Sequence, residues 1–187
     1  MKISKRTVWN LLVIVFVLSF FVTPLGFHGK VLLNQIFASK PDILQPQESL
    51  QIQNYDWKLK DADGNLFNFR EAEGKTVFIN FWASWRLPCS AELKGIEKLY
   101  EKYKGRVVFY IITDEEREQV IAFMRKNDFN FPVTYLIIGE RAPFIIPEPP
   151  ASYLIDSEGY IRIKQDDIAD WDNQKVYDLF NELIDLK

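Results

Sequence analysis

Apolar and polar positions divide the chain into three stretches. From Val8 to Phe27 the run VWNLLVIVFVLSFFVTPLGF carries no charge, and its only polar side chains are Asn10, Ser19 and Thr23. Twenty residues at about 1.5 Å each would reach roughly 30 Å, the hydrocarbon thickness of a bilayer. From His28 to Gln53 the pattern loosens into GKVLLNQIF, which reads as a short amphipathic turn near a membrane, and KPDILQPQESLQ. This stretch reads as a tether, with His28 at headgroup level. From Asn54 onward, alternation and helical periodicity take over.

In that third stretch YDWKLK alternates as a strand, Asp-Gly in DADGN marks a turn, and LFNF returns, which predicts a hairpin. Asp61, Asp63 and Asn65 suggest a calcium loop, but the sixth position must be Gly and is Leu66. TVFINFW (Thr76–Trp82) is nearly continuous apolar sequence, suited to a strand buried on both faces. SAELKGIEKLYEKY places Leu93, Ile96, Leu99 and Tyr100 at helical spacing. RVVFYIIT predicts a second buried strand and FPVTYLII a third. DEEREQVIAFMRKND between them opens with acids and closes with bases, as a helix dipole favours. SYLID, the turn SEG and YIRIK predict a second hairpin, and WDNQKVYDLFNELIDL a closing amphipathic helix. IIGERAPFIIPEPP (137–150) holds four of the nine prolines and predicts an irregular loop. This order of elements is α/β with a mixed sheet.

Charge sharpens the first stretch. Residues 1–27 contain Lys2, Lys5 and Arg6 and no acid, so the remainder of this chain of net charge −3 stands at −6. A basic cap before an unbroken apolar run fits an uncleaved anchor better than a buried core helix. No small-residue cleavage site follows closely, which favours an anchor over a cleaved signal peptide. The expected organisation is therefore a cytoplasmic basic segment (1–7), a transmembrane anchor (8–27), a juxtamembrane tether (28–53) and a globular domain (54–187). The positive-inside rule sends the domain to the extracytoplasmic side of a single-pass cell-membrane protein. The overall balance offers no basic field for nucleic acid.

Chemistry is limited by count. One cysteine excludes an internal disulfide and a Cys-based metal cluster, and one histidine excludes a His-rich metal site. No cofactor is implied. The lone Cys89 stands at the end of Phe81-Trp82-Ala83-Ser84-Trp85-Arg86-Leu87-Pro88-Cys89, where a buried strand runs into an aromatic turn and a helix.

That segment resembles the thioredoxin superfamily, and more narrowly the membrane-anchored TlpA/ResA-type thiol–disulfide oxidoreductases, whose motif is a strand followed by Trp-Cys-x-Pro-Cys. The resemblance covers about residues 54–186. It includes the DADGN hairpin, Asn80 where thioredoxins carry a buried Asp, Glu92 as the acidic helix residue, and Pro150 as the cis-proline. It implies a thioredoxin-like fold: a central mixed sheet flanked by helices, with an N-terminal β-hairpin and one preceding transmembrane helix. By the same resemblance Trp85, Arg86, Leu87, Pro88, Pro149 and Pro150 form the motif and its peptide groove. Cys89 is then the candidate thiol and Glu92 its possible proton acceptor.

The departure is at Arg86, where the attacking cysteine would stand. A dithiol–disulfide couple needs two sulfurs, so ordinary exchange cannot run within one chain. Arg86 and the helix N-terminus would favour a Cys89 thiolate wherever water reaches it, and Arg86 could share an anion site with helix amides. Without the dithiol cycle Glu92 reads mainly as a structural or surface helix residue. Pro149 lacks the N–H that the residue before the cis-proline offers a bound peptide. Three functions stay open: a non-catalytic domain that binds an extracytoplasmic polypeptide, an oxidoreductase using one thiol with a partner thiol protein, and a structural subunit of an envelope complex.

Overall fold

The computed structural model describes residues 4–22, 24–45 and 49–185. The chain opens with helices α1 (Lys5–Val22) and α2 (Pro24–Phe37). Strands β1 (Lys58–Lys60) and β2 (Leu66–Asn68) form the first hairpin, and a 3-10 turn covers Phe69–Ala72. There follow β3 (Val77–Phe81), α3 (Leu87–Tyr103), β4 (Val108–Thr113), α4 (Arg117–Asn127) and β5 (Val133–Tyr135). Strands β6 (Ala151–Ile155) and β7 (Ile161–Gln165) make the second hairpin, and α5 (Gln174–Asp185) closes the fold.

All seven strands join one mixed sheet in the order β2-β1-β5-β4-β3-β6-β7. β3, β4 and β5 are parallel, and β6 runs antiparallel to β3. The central strand β3 is buried along its whole length, as its unbroken apolar sequence requires. Its alternate residues serve two cores. Phe78 faces a core built from Leu93, Ile96 and Leu99 of α3, Val120 of α4, and Leu179 and Phe180 of α5. Val77, Ile79 and Phe81 face a second core with Trp57, Phe69 and Tyr153. Because β3, β4 and β5 are parallel, the loops that follow them all leave at one end of the sheet. That end carries the Trp85–Cys89 motif.

In the N-terminal third the described residues form two helices and a segment docked on the sheet edge. The described residues of the apolar run 8–27 fall in α1, which already starts at Lys5, and in α2, whose first residue is Pro24. Proline fits a helix start because its missing N–H would be unpaired there anyway. Among the described residues no helix is long and apolar enough to cross a membrane. Thr23 and the side chain of His28 lie outside the described residues. Every described side chain from Val8 to Leu18 is exposed, Trp9 at 68% among them.

Residues 28–53 are not a free tether. Helix α2 packs on α3, with Val31 buried. Beyond it, Ser39 accepts a backbone hydrogen bond from Asp170 at 2.8 Å. Leu44 donates to Arg162, Ile52 donates to Gly159, and Leu50 accepts from Ile161, each at 2.9 Å. Residues 43–44 and 50–52 thus lie antiparallel along the outer edge of β7 and the turn before it. The physical reason is that an open sheet edge leaves a row of unpaired amides and carbonyls. Ile43, Leu44 and Ile52 also add apolar side chains to the two cores. Gly159, in the turn between β6 and β7, has φ +87°, and a Cβ there would lie 2.6 Å from the Tyr55 hydroxyl. That turn therefore fits only glycine.

Candidate functional site

The motif lies where its sequence predicts. β3 ends at Phe81, residues 82–86 turn, and α3 starts at Leu87 with Pro88 in its first turn. Trp82 is buried against Phe123 and Phe131, while Trp85 is 73% exposed. The turn is held by a residue that sequence reading passed over. Glu115 accepts from the Ser84 backbone amide at 2.5 Å and from the Ser84 hydroxyl at 2.7 Å. In sequence Glu115 is one of three acids before α4. Its reach across to the motif loop depends on β3 and β4 ending side by side, which no local pattern reveals.

Arg86 occupies the N-cap of α3 with no side-chain cap bond. Its guanidinium lies 5.6 Å from the centre of the Trp85 ring and 3.5 Å from the Glu148 carboxylate. Glu148 directly precedes Pro149, so this ion pair joins the motif turn to the proline loop. The Pro149–Pro150 peptide bond is cis. Phe144, from the same loop, packs on Phe81 and Tyr153, and the Tyr153 hydroxyl donates to the Ile145 carbonyl. Ile138 and Ile145 project from this loop almost wholly into solvent.

Cys89 is fully buried in the helix-side core. Burial pushes its thiol up to about 12, and Glu92 adds to the rise. A backbone hydrogen bond from Ala83 and the Arg86 guanidinium pull the other way without matching the loss of water. The condition on which Arg86 and the helix N-terminus would favour a thiolate, water at the sulfur, is therefore not met. Their field favours the anion, but no solvent reaches the sulfur to support it.

Of the two readings of Glu92, structural or surface, its burial favours the first. It is a buried residue, and its carboxylate is held by groups from two parts of the chain, β3 and the segment 169–171. Asn80 Nδ2 donates to Oε1 at 2.8 Å, and the Ala169 amide and Trp171 Nε1 each donate to Oε2 at 3.3 Å. Asn80 Nδ2 also reaches the Ser152 hydroxyl at 2.9 Å. Burial still raises Glu92 to about 7 against these donors, and Asp167 adds to the rise. None of its hydrogen bonds goes to Cys89. The structure therefore brings Trp85, Arg86, Leu87, Pro88, Pro149 and Pro150 to one end of the sheet. Cys89 and Glu92 sit beneath, in the core. Among the described residues no group of three His, Cys, Asp or Glu is arranged to hold a metal ion.

A family model described as the AhpC/TSA family matches residues 52–164. Thioredoxin-like protein YneN of Bacillus subtilis (strain 168) is 32% identical over 111 residues, 57% of this chain and 65% of that one. Thiol-disulfide oxidoreductase ResA of Bacillus cereus (strain ZK / E33L) is 31% identical over 144 residues, 73% of this chain and 78% of that one. The alignment thus spans slightly less than two thirds of YneN and more than two thirds of ResA. Among solved structures, a secreted thiol-disulfide isomerase from Corynebacterium glutamicum superposes with a TM-score of 0.60. It covers 80% of this chain and 94% of the isomerase at 17% sequence identity, a likeness of fold alone.

Proposed function

Because this chain belongs to the AhpC/TSA family, with ResA-type thiol–disulfide oxidoreductases among its relatives, we propose that it is a thioredoxin-like protein of that lineage that binds a polypeptide partner without dithiol turnover. One observation carries the reading: the position of the attacking sulfur holds Arg86, and the remaining sulfur, Cys89, is fully buried with its thiol pushed up to about 12. A buried neutral thiol is a poor nucleophile, which counts against a one-thiol oxidoreductase.

Partner binding at the motif end is supported by Trp85, Ile138 and Ile145, three large apolar side chains exposed on loops at that end. An exposed aromatic beside an arginine is the composition of binding hot spots. Pro149 removes one backbone bond to an extended peptide, worth roughly 0.5–1.5 kcal/mol net. Side chains, not a backbone bridge, then supply the affinity.

The reading places the protein in a cell membrane through residues 8–27, with the domain outside. Its support is the basic cap and the apolar side chains of α1 that are exposed to solvent. Protease added to intact spheroplasts is expected to digest the domain, and full protection would overturn this topology.

The chemistry is tested by disulfide reduction. Wild type is expected to reduce an insulin-like substrate no faster than Cys89→Ser. Arg86→Cys is expected to form an intramolecular disulfide with Cys89, since the two-residue spacing of the motif is kept. Turnover by wild type above the Cys89→Ser control would refute the non-catalytic reading.

A further inference from the structure

We propose that residues 38–45 and 49–53 act as a fixed strap that holds α2 in one attitude on the domain. The observations are independent of each other. At one end Ser39 pairs with the 169–170 segment. In the middle, Ile43 and Leu44 lie along Arg162 and Ile163. At the other end Leu50 and Ile52 exchange backbone bonds with Gly159 and Ile161, and the Gln51 side-chain amide donates to the Glu158 carbonyl at 2.9 Å. All these contacts are long-range in sequence, so a random-coil tether would make none of them.

The strap is also apolar where it touches. Ile52 is buried in one core, and Ile43 and Leu44 pack against the two cores from the edge. A flexible linker of polar residues gains nothing by docking. Here docking covers both an open strand edge and apolar surface, and these gains offset the entropy of fixing the segment.

The attitude is set relative to the site itself. Ser39 grips Asp170, which lies between Ala169 and Trp171, the two residues that hold Glu92 Oε2. Ala38 shares a cavity of about 290 Å³ with Glu92, Gly95 and Trp171. The end of α2 therefore stands beside the helix that carries the motif. The motif end of the sheet is therefore held at one angle to α2, and this does not rest on the membrane reading above.

The test uses the full chain in detergent micelles with Cys89→Ser, spin-labelled at Leu32→Cys on α2 and Glu118→Cys on α4. A single narrow distance distribution is expected, and a broad one overturns the proposal. In the same micelles the Leu44 and Ile52 amides are expected to exchange about a hundredfold or more slower than in a free peptide. Exchange at the free-peptide rate overturns it too. Ile43→Asp is expected to broaden the distance distribution. Ile43→Ala, milder, keeps the test open if the aspartate variant fails to fold by circular dichroism. A distribution that stays narrow while strap amides exchange freely would show that α2–α3 packing alone holds the helix, which also refutes the strap. Partition of the chain into lipid vesicles, measured separately, reports on the membrane reading and leaves this result untouched.

Discussion

At the residue scale, two buried ionisable groups carry opposite lessons. Cys89 and the identity of its neighbour Arg86 are legible in the sequence, because a motif fixes both positions. The state of the sulfur is not legible, since it depends on water excluded by α3, the sheet and Trp82 together. A thiol at about 12 is ionised in about one molecule in ten thousand at pH 8, against roughly one in ten for an unshifted cysteine. Alkylation of native protein at pH 8 is therefore expected to run about a thousandfold slower than in denaturant. Comparable rates would place the thiol at the surface. Glu92 gives a pH signature. Its folded value of about 7 lies above the unfolded value of 4.5. Between those values the folded chain keeps a proton that the unfolded chain has lost. Stability therefore falls as pH rises through that window, by up to about 3 kcal/mol, and levels off above it. Asp61 and Asp172 are held low, chiefly by hydrogen bonds from Asn65 and Lys98, so their contributions are lost only at more acidic pH. Urea unfolding at pH 5 and pH 7.5 measures the difference, and Glu92→Gln is expected to abolish most of it. A wild-type stability that stays level across this range would contradict the assignment.

At the scale of elements, β3, α3, β4, α4 and α5 follow from periodicity because each is long and patterned on one or two faces. The third strand is shorter than FPVTYLII suggests. Only Val133–Tyr135 form the strand, the Leu136 amide makes a last bond to the Thr113 carbonyl, and from Ile137 the chain leaves the sheet toward the proline loop. β1 contributes only Lys58–Lys60 and touches β5 at a single register point, Lys60 opposite Tyr135. Strand length is set by the partner strand, which local alternation does not report. The motif turn illustrates the same limit. Its shape depends on Glu115, which is contributed by the loop after β4. Glu115→Ala leaves the Ser84 amide and hydroxyl without their acceptor, and a loss of about 1–3 kcal/mol is expected. Thermal unfolding reads the loss, and quenching of Trp85 by acrylamide reads loosening of the turn. An unchanged melting temperature would show that solvent replaces Glu115 without cost.

At the scale of the molecule, the fold class and the order of elements are legible, and the placement of the first 53 residues is not. KPDILQPQESLQ contains two prolines and scattered apolar residues, the composition of a linker. Its partners lie more than a hundred residues away along the chain, in β7 and the turn before it. No local window contains both halves of such a pairing. A consequence follows for truncation. A chain starting at Asn54 exposes the outer edge of β7 and the apolar surface under Ile43, Leu44 and Ile52. It is expected to melt at lower temperature and to self-associate, as seen by size-exclusion chromatography. A chain starting at Ala38 keeps the edge covered and is expected to stay closer to the full protein in both measurements. Equal behaviour of the two fragments would mean that the edge needs no cover.

The tryptophans turn this architecture into an optical instrument. Trp57, Trp82 and Trp171 are buried, whereas Trp9 on α1 and Trp85 at the motif are largely exposed. The native emission therefore has a shielded component from the cores and a quenchable component from Trp9 and Trp85. Replacing Trp9 with Phe leaves Trp85 as the dominant indole open to a water-soluble quencher, so binding at the motif can be followed without attaching a dye. Replacing Trp85 with Phe leaves Trp9 to report whether brominated lipid approaches the first helix. Two single substitutions thus separate what happens at the motif from what happens at the first helix.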